Sequence, residues 1–256
     1  MNILVTGGNG YIASVLIPML QEQGHLVTPH DLPGDIRDIK NLKHMNVVVH
    51  LAATFSEDWQ LSRRINFEAA RDLASIAHRD GIDQFVFAST CGVFNPNDIS
   101  NYTRYKRMAE SSIVKRYNYT VIRFGTIYGN APVWNRKPLV NNLVNTAVRH
   151  NIIKVVGSRE YRPLIHVNDA AQAICVVIQN ELKGYYEAVT EQASKMRIAQ
   201  IIHKYLPDAE LDVTMTSRKG YTVPRSPGLD KHGFVPTMTL EQGIEEMINA
   251  QVLQSS

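Results

Sequence analysis

A glycine-rich turn near the amino terminus narrows the possible folds of this 256-residue chain more than any other segment. Residues 3–13 read ILVTGGNGYIA, an apolar strand pattern that breaks at glycines and resumes as an apolar helix pattern. Gly7 permits a sharp turn, Gly10 leaves room for a pyrophosphate, and Ala13 lets the helix pack on the strand. A helix amino terminus favours negative charge. The segment therefore predicts a dinucleotide site, with a plain tight turn as the alternative.

An acidic residue follows at the distance that such a site requires. Residues 26–29 form a second apolar run, which ends at His30 and Asp31. An acid about 20 residues beyond the glycines hydrogen-bonds the adenosine ribose hydroxyls. Asp31 would also repel a 2′-phosphate, which favours NAD over NADP. The alternative is that Asp31 only caps a turn before Pro33.

Apolar segments alternate with amphipathic segments through the first half of the chain. This alternation predicts an α/β fold with a doubly wound parallel sheet, covered by helices on both faces. The segment between the second and third strands is short and places Asp35 and Ile36 beside an adenine. The predicted strands are residues 3–6, 26–30, 47–51, 85–89 and 120–124, and the predicted helices are residues 11–23, 59–79 and 100–115.

The pattern changes after Gly125, which divides the chain into a dinucleotide-binding domain, residues 1–126, and a smaller α/β substrate lobe, residues 127–256, interleaved with the first. Thr239 and Gln242 fit a capping box at a helix start. Residues 215–238 have little periodicity and form a long functional loop. In this half, strands are predicted at 152–156, 164–167 and 185–189, and helices at 139–150, 168–179, 194–205 and 239–250.

Composition limits the class of protein. The chain is 44% hydrophobic and can fill a full core. Its 27 basic and 24 acidic residues form no basic stripe, so no nucleic-acid partner is predicted. Cys91 and Cys175 form no disulfide framework, no apolar run reaches membrane-spanning length, and no signal peptide is evident. We expect a soluble cytoplasmic protein without a metal site.

A tyrosine and a lysine with helical spacing are the second informative feature. Residues 102–106 read YTRYK, which places Tyr102 and Lys106 on one helix face and Tyr105 on another. A neighbouring ammonium, helped by a positively charged nicotinamide, favours the phenolate and lowers the tyrosine pKa from its usual value near 10. Tyr102 then becomes a proton acceptor for an alcohol. A surface Tyr–Lys pair is the alternative.

Hydroxyl groups end the fourth predicted strand, at the sheet edge where ligands bind. Ser89 or Thr90 could hydrogen-bond a reacting oxygen beside Tyr102, or both could only satisfy turn backbone groups. Cys91 follows them, and we interpret it as a buried, inert thiol rather than an acid or nucleophile.

Together these segments resemble the extended short-chain dehydrogenase/reductase family, in its nucleotide-sugar epimerase/dehydratase branch. The resemblance implies an NAD-binding Rossmann fold and runs from Met1 to about Gly243. It is carried by TGGNGYIA at 6–13, GDIRD at 34–38, VVVHLAA at 47–53, STCGVF at 89–94, the YxxxK pair, RFGTIYG at 123–129 and YRPLIHVNDAA at 161–171.

The resemblance implies a set of site residues. Thr90, Tyr102 and Lys106 are the expected catalytic residues, and Thr90, Thr126 and Arg162 are expected to bind substrate, although Arg162 could instead form a surface salt bridge. The residues expected to bind NAD are Gly7, Asn9, Gly10, Tyr11, Ile12, Asp31, Asp35, Ile36, Leu51, Ala52, Ala53, Asn66, Ser89, Tyr102 and Lys106.

The resemblance also implies a reaction. A sugar carbon loses a hydride to NAD while the Tyr102 phenolate accepts the hydroxyl proton, and the resulting keto sugar is reduced again on its other face. The first expectation is therefore a nucleotide-sugar epimerase. The alternatives are an NAD(P)H-dependent ketoreductase of a nucleotide 4-keto-sugar and a non-catalytic NAD-sensing protein.

One departure from the family pattern disfavours a dehydratase reaction. Family dehydratases carry an Asp-Glu pair after the catalytic threonine, where this chain has Cys91 and Gly92. Thr126 stands where the family usually has an asparagine, and Phe94 stands where a tyrosine is common. The chain is also shorter than most family members, and this shorter length predicts a reduced sugar pocket. A homodimer is expected through the helices at 59–79 and 100–115.

Overall fold

The computed structural model describes residues 1–31, 34–115, 118–216, 220–223 and 228–255. The strands are β1 Asn2–Thr6, β2 Leu26–His30, β3 Val47–His50, β4 Gln84–Thr90, β5 Tyr119–Phe124, β6 Thr126–Tyr128, β7 Ile152–Val156, β8 Tyr161–His166, β9 Gly184–Ala188, β10 Glu191–Ser194 and β11 Glu210–Thr214. The helices are α1 Ala13–Glu22, α2 Trp59–Arg63, α3 Ala70–Arg79, α4 Asn101–Ile113, α5 Leu139–His150, α6 Val167–Gln179, α7 Lys195–Tyr205 and α8 Leu240–Ser255.

A six-stranded parallel sheet in the order β2-β1-β3-β4-β5-β9 forms the centre of the molecule. Its inner strands are almost continuously buried, as in β3, where all four residues of VVVH are buried. Strands buried on both faces have this near-unbroken apolar pattern. The prediction of a doubly wound parallel sheet is confirmed.

The strand order fixes where a ligand binds. From β1 the chain goes first to β2 on one side and then returns to β3 on the other side. In open α/β sheets, ligands occupy the crevice at the carboxyl ends of the strands where the order reverses. That crevice lies beyond Thr6 and His50, which are register partners at the ends of β1 and β3.

Helices cover both faces of the sheet. One face packs against α1 and α6, in a core that includes Leu16, Leu20 and Ile174. The other face packs against α3 and α4, through Leu73, Ala109 and their neighbours. The sheet is therefore rigidly held between two apolar layers.

The helix predicted at residues 59–79 is confirmed, with one irregularity. A π-helical segment, Arg64–Ala69, joins α2 to α3. Such segments are rare and occur frequently at functional sites. This segment carries the fully buried Asn66.

The carboxyl-terminal half builds a second, smaller core. Strands β10-β8-β6 form a three-stranded sheet and β11-β7 a two-stranded parallel sheet. Helices α5, α7 and α8 pack with them through residues such as Leu143, Ile202 and Met247. Thr239 and Gln242 form the predicted capping box, because each backbone N–H bonds to the other's side chain, at 3.0 and 3.2 Å.

Several elements of this half differ from the sequence prediction. Strand β9, predicted at 185–189, pairs with β5 in the main sheet, so the chain returns to the first core after residue 166. Strands β6, β10 and β11 were not predicted, because they are three to five residues long with little apolar alternation. In the predicted loop 215–238, residues 217–219 and 224–227 lie outside the described residues. Residues 32 and 33, in the short segment between the second and third predicted strands, also lie outside them. Within the described residues, none of the helices is long and apolar enough to cross a bilayer.

Candidate active site

The glycine turn lies at the carboxyl end of β1 and leaves its backbone open. Gly7 has a left-handed φ of 72°, which a residue with a Cβ adopts only with strain. A Cβ at Gly7 would come within 2.8 Å of the Ala52 backbone nitrogen. A Cβ at Gly10 would lie 2.9 Å from the Gly7 oxygen. Only glycine fits this cradle, as a close approach to pyrophosphate requires.

Asp31 lies beside the turn, where a ribose acid is expected. Its Oδ2 accepts a hydrogen bond from the Asn9 backbone N–H at 2.7 Å. The preceding residue, His30, accepts from the Gly7 N–H through its carbonyl oxygen at 2.9 Å. The end of β2 and the glycine turn are thus held together.

A cavity of about 700 Å³ runs along this edge of the sheet, from the turn to the amino-terminal part of α4. This volume lies within the range of ligand-binding pockets. Among its lining residues are fifteen of the predicted site residues: Gly7, Gly10, Tyr11, Ile12, Asp31, Asp35, Ile36, Leu51, Ala52, Ala53, Ser89, Thr90, Tyr102, Lys106 and Thr126.

Tyr102 and Lys106 share one face of α4 and both line the cavity. The Lys106 Nζ donates to the Ala88 carbonyl oxygen at 2.7 Å and lies 4.6 Å from the centre of the Phe87 ring. The same Nζ is 5.8 Å from the centre of the Tyr102 ring. Tyr105 is buried and, unlike Tyr102 and Lys106, is not among the residues that line the cavity, as its different position on the helix predicted.

The pKa values of this pair correct one expectation. Burial raises the pKa of Tyr102 above its usual value and lowers the pKa of Lys106 to about 7. The predicted lowering of the tyrosine pKa is therefore wrong for the structure described, because removal from water disfavours both charged forms. The Nζ contacts a carbonyl and the Phe87 ring rather than the phenol oxygen.

The two hydroxyl groups at the end of β4, those of Ser89 and Thr90, have different hydrogen-bond partners. Ser89 donates to Glu110 Oε1 at 2.5 Å. Thr90 Oγ1 accepts from the Gly92 N–H at 3.0 Å, so it caps the following turn and keeps its proton for donation. Thr90 therefore retains donor capacity toward the cavity, while the Ser89 donor is committed to Glu110.

Cys91 is a buried thiol, as interpreted from the sequence. It is fully buried and donates to the Arg123 carbonyl oxygen at 3.2 Å. Burial raises its pKa to about 12. Such a thiol is neither an acid nor a nucleophile near neutral pH.

Three predicted site residues do not line the cavity. Asn9 contributes its backbone N–H to Asp31. Asn66 binds both backbone groups of Thr54, at 2.9 and 2.8 Å, and so fixes the segment after β3. Arg162 pairs with Glu160 at 3.0 Å, the alternative considered from the sequence.

Phe55 and Tyr221 are among the cavity residues that the sequence analysis missed. Phe55 stacks on Tyr102 with 4.3 Å between ring centres. Tyr221 lines the cavity beneath the Arg162 guanidinium, which is 5.7 Å from its ring centre. The position of Phe55, two residues after the HLAA of residues 50–53, was an available signal. Tyr221 lies in the aperiodic segment 215–238, where only the long functional loop was predicted.

Comparison with known proteins supports a dinucleotide site at this edge of the sheet. A family model described as the NAD dependent epimerase/dehydratase family matches residues 3–188, well over half of the chain. The chain belongs to this family. The curated UDP-N-acetyl-alpha-D-glucosaminuronate decarboxylase of Bacillus cytotoxicus is 24% identical, over 96% of each chain.

Solved structures of similar proteins show the same fold. MoeE5 in complex with UDP-glucuronic acid and NAD superposes with a TM-score of 0.86, at 20% identity over 99% of this chain and 100% of that one. UDP-glucuronic acid 4-epimerase from Bacillus cereus, in complex with UDP-glucuronic acid and NAD, also gives 0.86, at 18% identity over 100% of both chains. The Rossmann fold and the NAD cofactor predicted from the sequence are confirmed, and the chain is an enzyme of an NAD dependent family.

Proposed function

We propose that this protein is an NAD-dependent epimerase of a nucleotide-activated sugar. The observation that carries the proposal is that Tyr102, Lys106 and Thr90 line the same cavity as the glycine turn. A proton acceptor, a cation and a hydroxyl donor thus meet where a dinucleotide would extend along the sheet edge. Their roles, like those of the other site residues, are part of this proposal.

The chain's own residues supply proton transfer and alignment. Tyr102 as phenolate accepts the proton of a sugar hydroxyl, and as phenol returns it. Thr90 donates a hydrogen bond to the same oxygen. Lys106 as ammonium stabilises the phenolate, which offsets the effect of burial on both groups. NAD, when bound, supplies hydride acceptance and return.

The cradle residues would hold the cofactor. Gly7 and Gly10 leave space for the pyrophosphate, and the Asp31 carboxylate would accept hydrogen bonds from the ribose hydroxyls. Asp35 pairs with Arg37, which holds its pKa at about 2, so it stays charged at the adenosine end. The Asp31 carboxylate favours NAD, because it would repel the 2′-phosphate of a phosphorylated dinucleotide.

The substrate class rests on the relatives and on two residues of this chain. The relatives named above act on or bind UDP-sugars, and we propose a nucleotide diphosphate sugar here. Tyr221 and Thr126 line the sugar end. Arg162 lies over the Tyr221 ring and pairs with Glu160 through Nη2, and we propose that its guanidinium contacts the diphosphate.

A product assay separates the proposal from its alternatives. Purified protein is incubated with UDP- and dTDP-sugars and catalytic NAD, and products are resolved by NMR. An epimerase forms a new diastereomer without net change in the absorbance of reduced nicotinamide at about 340 nm. A parallel incubation contains a nucleotide 4-keto-sugar and stoichiometric NADH or NADPH, and loss of that absorbance there with formation of the alcohol would establish a ketoreductase instead. NAD binding with no turnover of any sugar would establish an NAD-sensing protein.

We also propose a homodimer formed by α2, α3 and α4, in a cytoplasmic protein. Trp59 and Met108 are exposed apolar side chains on these helices, and exposed apolar surface of this kind marks interfaces. Light scattering of the purified protein should give twice the chain mass of 28.8 kDa. The mass of a single chain at micromolar concentration would exclude the dimer.

A further inference from the structure

Glu110 is a buried carboxylate with more partners than a helix position requires. Its side chain is 6% exposed. Oε1 accepts from Ser89 Oγ at 2.5 Å and from Arg123 Nε at 3.1 Å, and Oε2 accepts from Arg123 Nη2 at 2.8 Å. A buried charge is tolerated when it is paired and hydrogen-bonded in this way.

The position of Glu110 connects it to the proposed active site. On α4, residues 102, 106 and 110 follow each other at intervals of four, so Glu110 lies one turn beyond Lys106 on the same face. Ser89, its hydroxyl donor, lines the cavity beside Thr90. Glu110 thus contacts β4 at the strand end that carries Thr90.

The charged and titratable groups around Lys106 come from four elements. Tyr102 and Glu110 lie on its own helix, and Arg123 on β5 pairs with both Glu110 and Glu187 of β9. His50 on β3 is buried and neutral, since burial and Lys106 lower its pKa to about 3. Burial lowers the pKa of Lys106, and the charge of Glu110 opposes that effect.

We propose that Glu110 is a positioning residue of the active site, which holds the Ser89 hydroxyl and supports the positive charge of Lys106 from one helical turn away. The proposal rests on the proposed function for its effect on turnover. Its effect on Lys106 itself is a property of the protein without substrate.

The consequence is a dependence of the reactive state on Glu110. That state combines the Lys106 ammonium with the Tyr102 phenolate. If the pKa of Lys106 falls by one unit while the rest of the site is unchanged, the population of this state falls about tenfold. Substrate affinity is not affected, because Glu110 has no place in the cavity lining.

The first test measures Lys106 directly in the full chain. Protein labelled with carbon-13 at the lysine Cε is titrated by NMR, and the Lys106 signal is assigned by its absence in Lys106→Arg. In Glu110→Gln the pKa of Lys106 should fall by about one unit or more. The matched control is Glu187→Gln, which removes the other carboxylate from Arg123 and should leave Lys106 within about 0.3 units, since Glu187 is not among its electrostatic partners.

The second test measures turnover with the sugar found in the product assay. Glu110→Gln should lower kcat about tenfold with KM within about threefold, and Glu187→Gln should retain near-normal kcat. Glu110→Asp keeps the charge and should keep the pKa of Lys106 and most of kcat. This last variant decides the matter if the glutamine variant does not fold: a normal Lys106 pKa with kcat reduced more than about 100-fold would show that packing, not charge, is what matters.

The outcomes separate this proposal from the proposed function. An unchanged Lys106 titration in Glu110→Gln overturns the role of Glu110, whatever the enzyme's activity. Equal effects of Glu110→Gln and Glu187→Gln on Lys106 would overturn it as well. If wild-type protein turns over no sugar, the proposed function fails, and the titration still decides whether Glu110 supports Lys106.

Discussion

The two ends of the cavity are built in different ways. The cofactor end consists of strand ends and backbone, with glycines at 7 and 10 whose positions exclude a side chain. The sugar end is lined by side chains from segments between regular elements, among them Phe55 and Tyr221. Backbone geometry suits a constant ligand, whereas side chains on loops are where specificity varies. We therefore expect the first end to be common to the family and the second to distinguish one member from another.

The catalytic pair lies between the two ends, and its removal should have the largest effect. Tyr102→Phe should lower kcat by about 100-fold to 10,000-fold, because it removes the proton acceptor. NAD affinity should stay within about threefold of wild type, since the ring that stacks on Phe55 remains. Steady-state kinetics and calorimetric titration with NAD measure the two quantities.

Tyr105→Phe is the control for this experiment. Tyr105 is on the same helix but is buried away from the cavity, so its variant should turn over at nearly the wild-type rate. If the two variants lose activity equally, a general disturbance of α4 explains the loss and the role of Tyr102 is refuted.

The cofactor end is tested by a matched pair of glycines. Gly7 and Gly24 both have a left-handed φ, of 72° and 80°, so the backbone strain of alanine should cost about 1–2 kcal/mol of folding free energy at either position, and the close contact at Gly7 adds to that cost. Only at Gly7 does a Cβ meet backbone, at 2.8 Å from Ala52, while nothing lies within 4 Å at Gly24. Gly7→Ala should therefore also weaken NAD binding by about tenfold or more, a cost of about 1.4 kcal/mol.

Thermal melts and NAD titrations of both variants show whether the close approach matters. Comparable NAD affinity in Gly7→Ala and Gly24→Ala would mean that the turn at Gly7 has a structural role only and does not bind NAD. Such a result would remove the difference between the two ends of the cavity.

The sugar end should respond more weakly. Phe55→Leu removes the ring that stacks on Tyr102 at 4.3 Å, a contact worth about 0.5–1.5 kcal/mol. We expect kcat/KM for the nucleotide sugar to fall about twofold to tenfold, with NAD affinity unchanged. A larger loss for NAD than for the sugar would place Phe55 at the cofactor end instead.

A change outside both ends should affect stability alone. Thr239→Ala removes the N-cap hydroxyl of the capping box at the start of α8, where Thr239 and Gln242 bond reciprocally, and should cost about 0.5–2 kcal/mol of unfolding free energy. Denaturant melts measure the loss, and kcat should stay at the wild-type value. A fall in kcat would show that α8 is coupled to the cavity.

Sequence patterns predicted the cofactor end because its signals are local. Glycine spacing, an acid after the second strand and the YxxxK spacing each involve a few neighbouring residues. Thr90 was identified by resemblance, and the structure shows why Ser89 differs: its donor is committed to Glu110, twenty-one positions away. Long-range pairing of this kind leaves no periodic signal.

The sugar end and the second core were harder to predict for the same physical reason. Strand β10 reads EQAS and exists because it pairs with β8. Asn66 fits the family motif, yet its side chain bonds Thr54 inside the protein rather than facing the cavity. The pKa of Tyr102 follows from its burial, a property that spacing along a helix does not determine.

The most direct test of the proposed reaction follows hydrogen at carbon. The nucleotide sugar identified in the product assay is converted in ²H₂O with catalytic NAD, and the epimeric product is examined by NMR and mass spectrometry. If Tyr102 exchanges only the hydroxyl proton and the carbon-bound hydrogen returns through the cofactor, the product contains no carbon-bound solvent deuterium. One deuterium at the inverted carbon would contradict this, because it would show deprotonation at carbon.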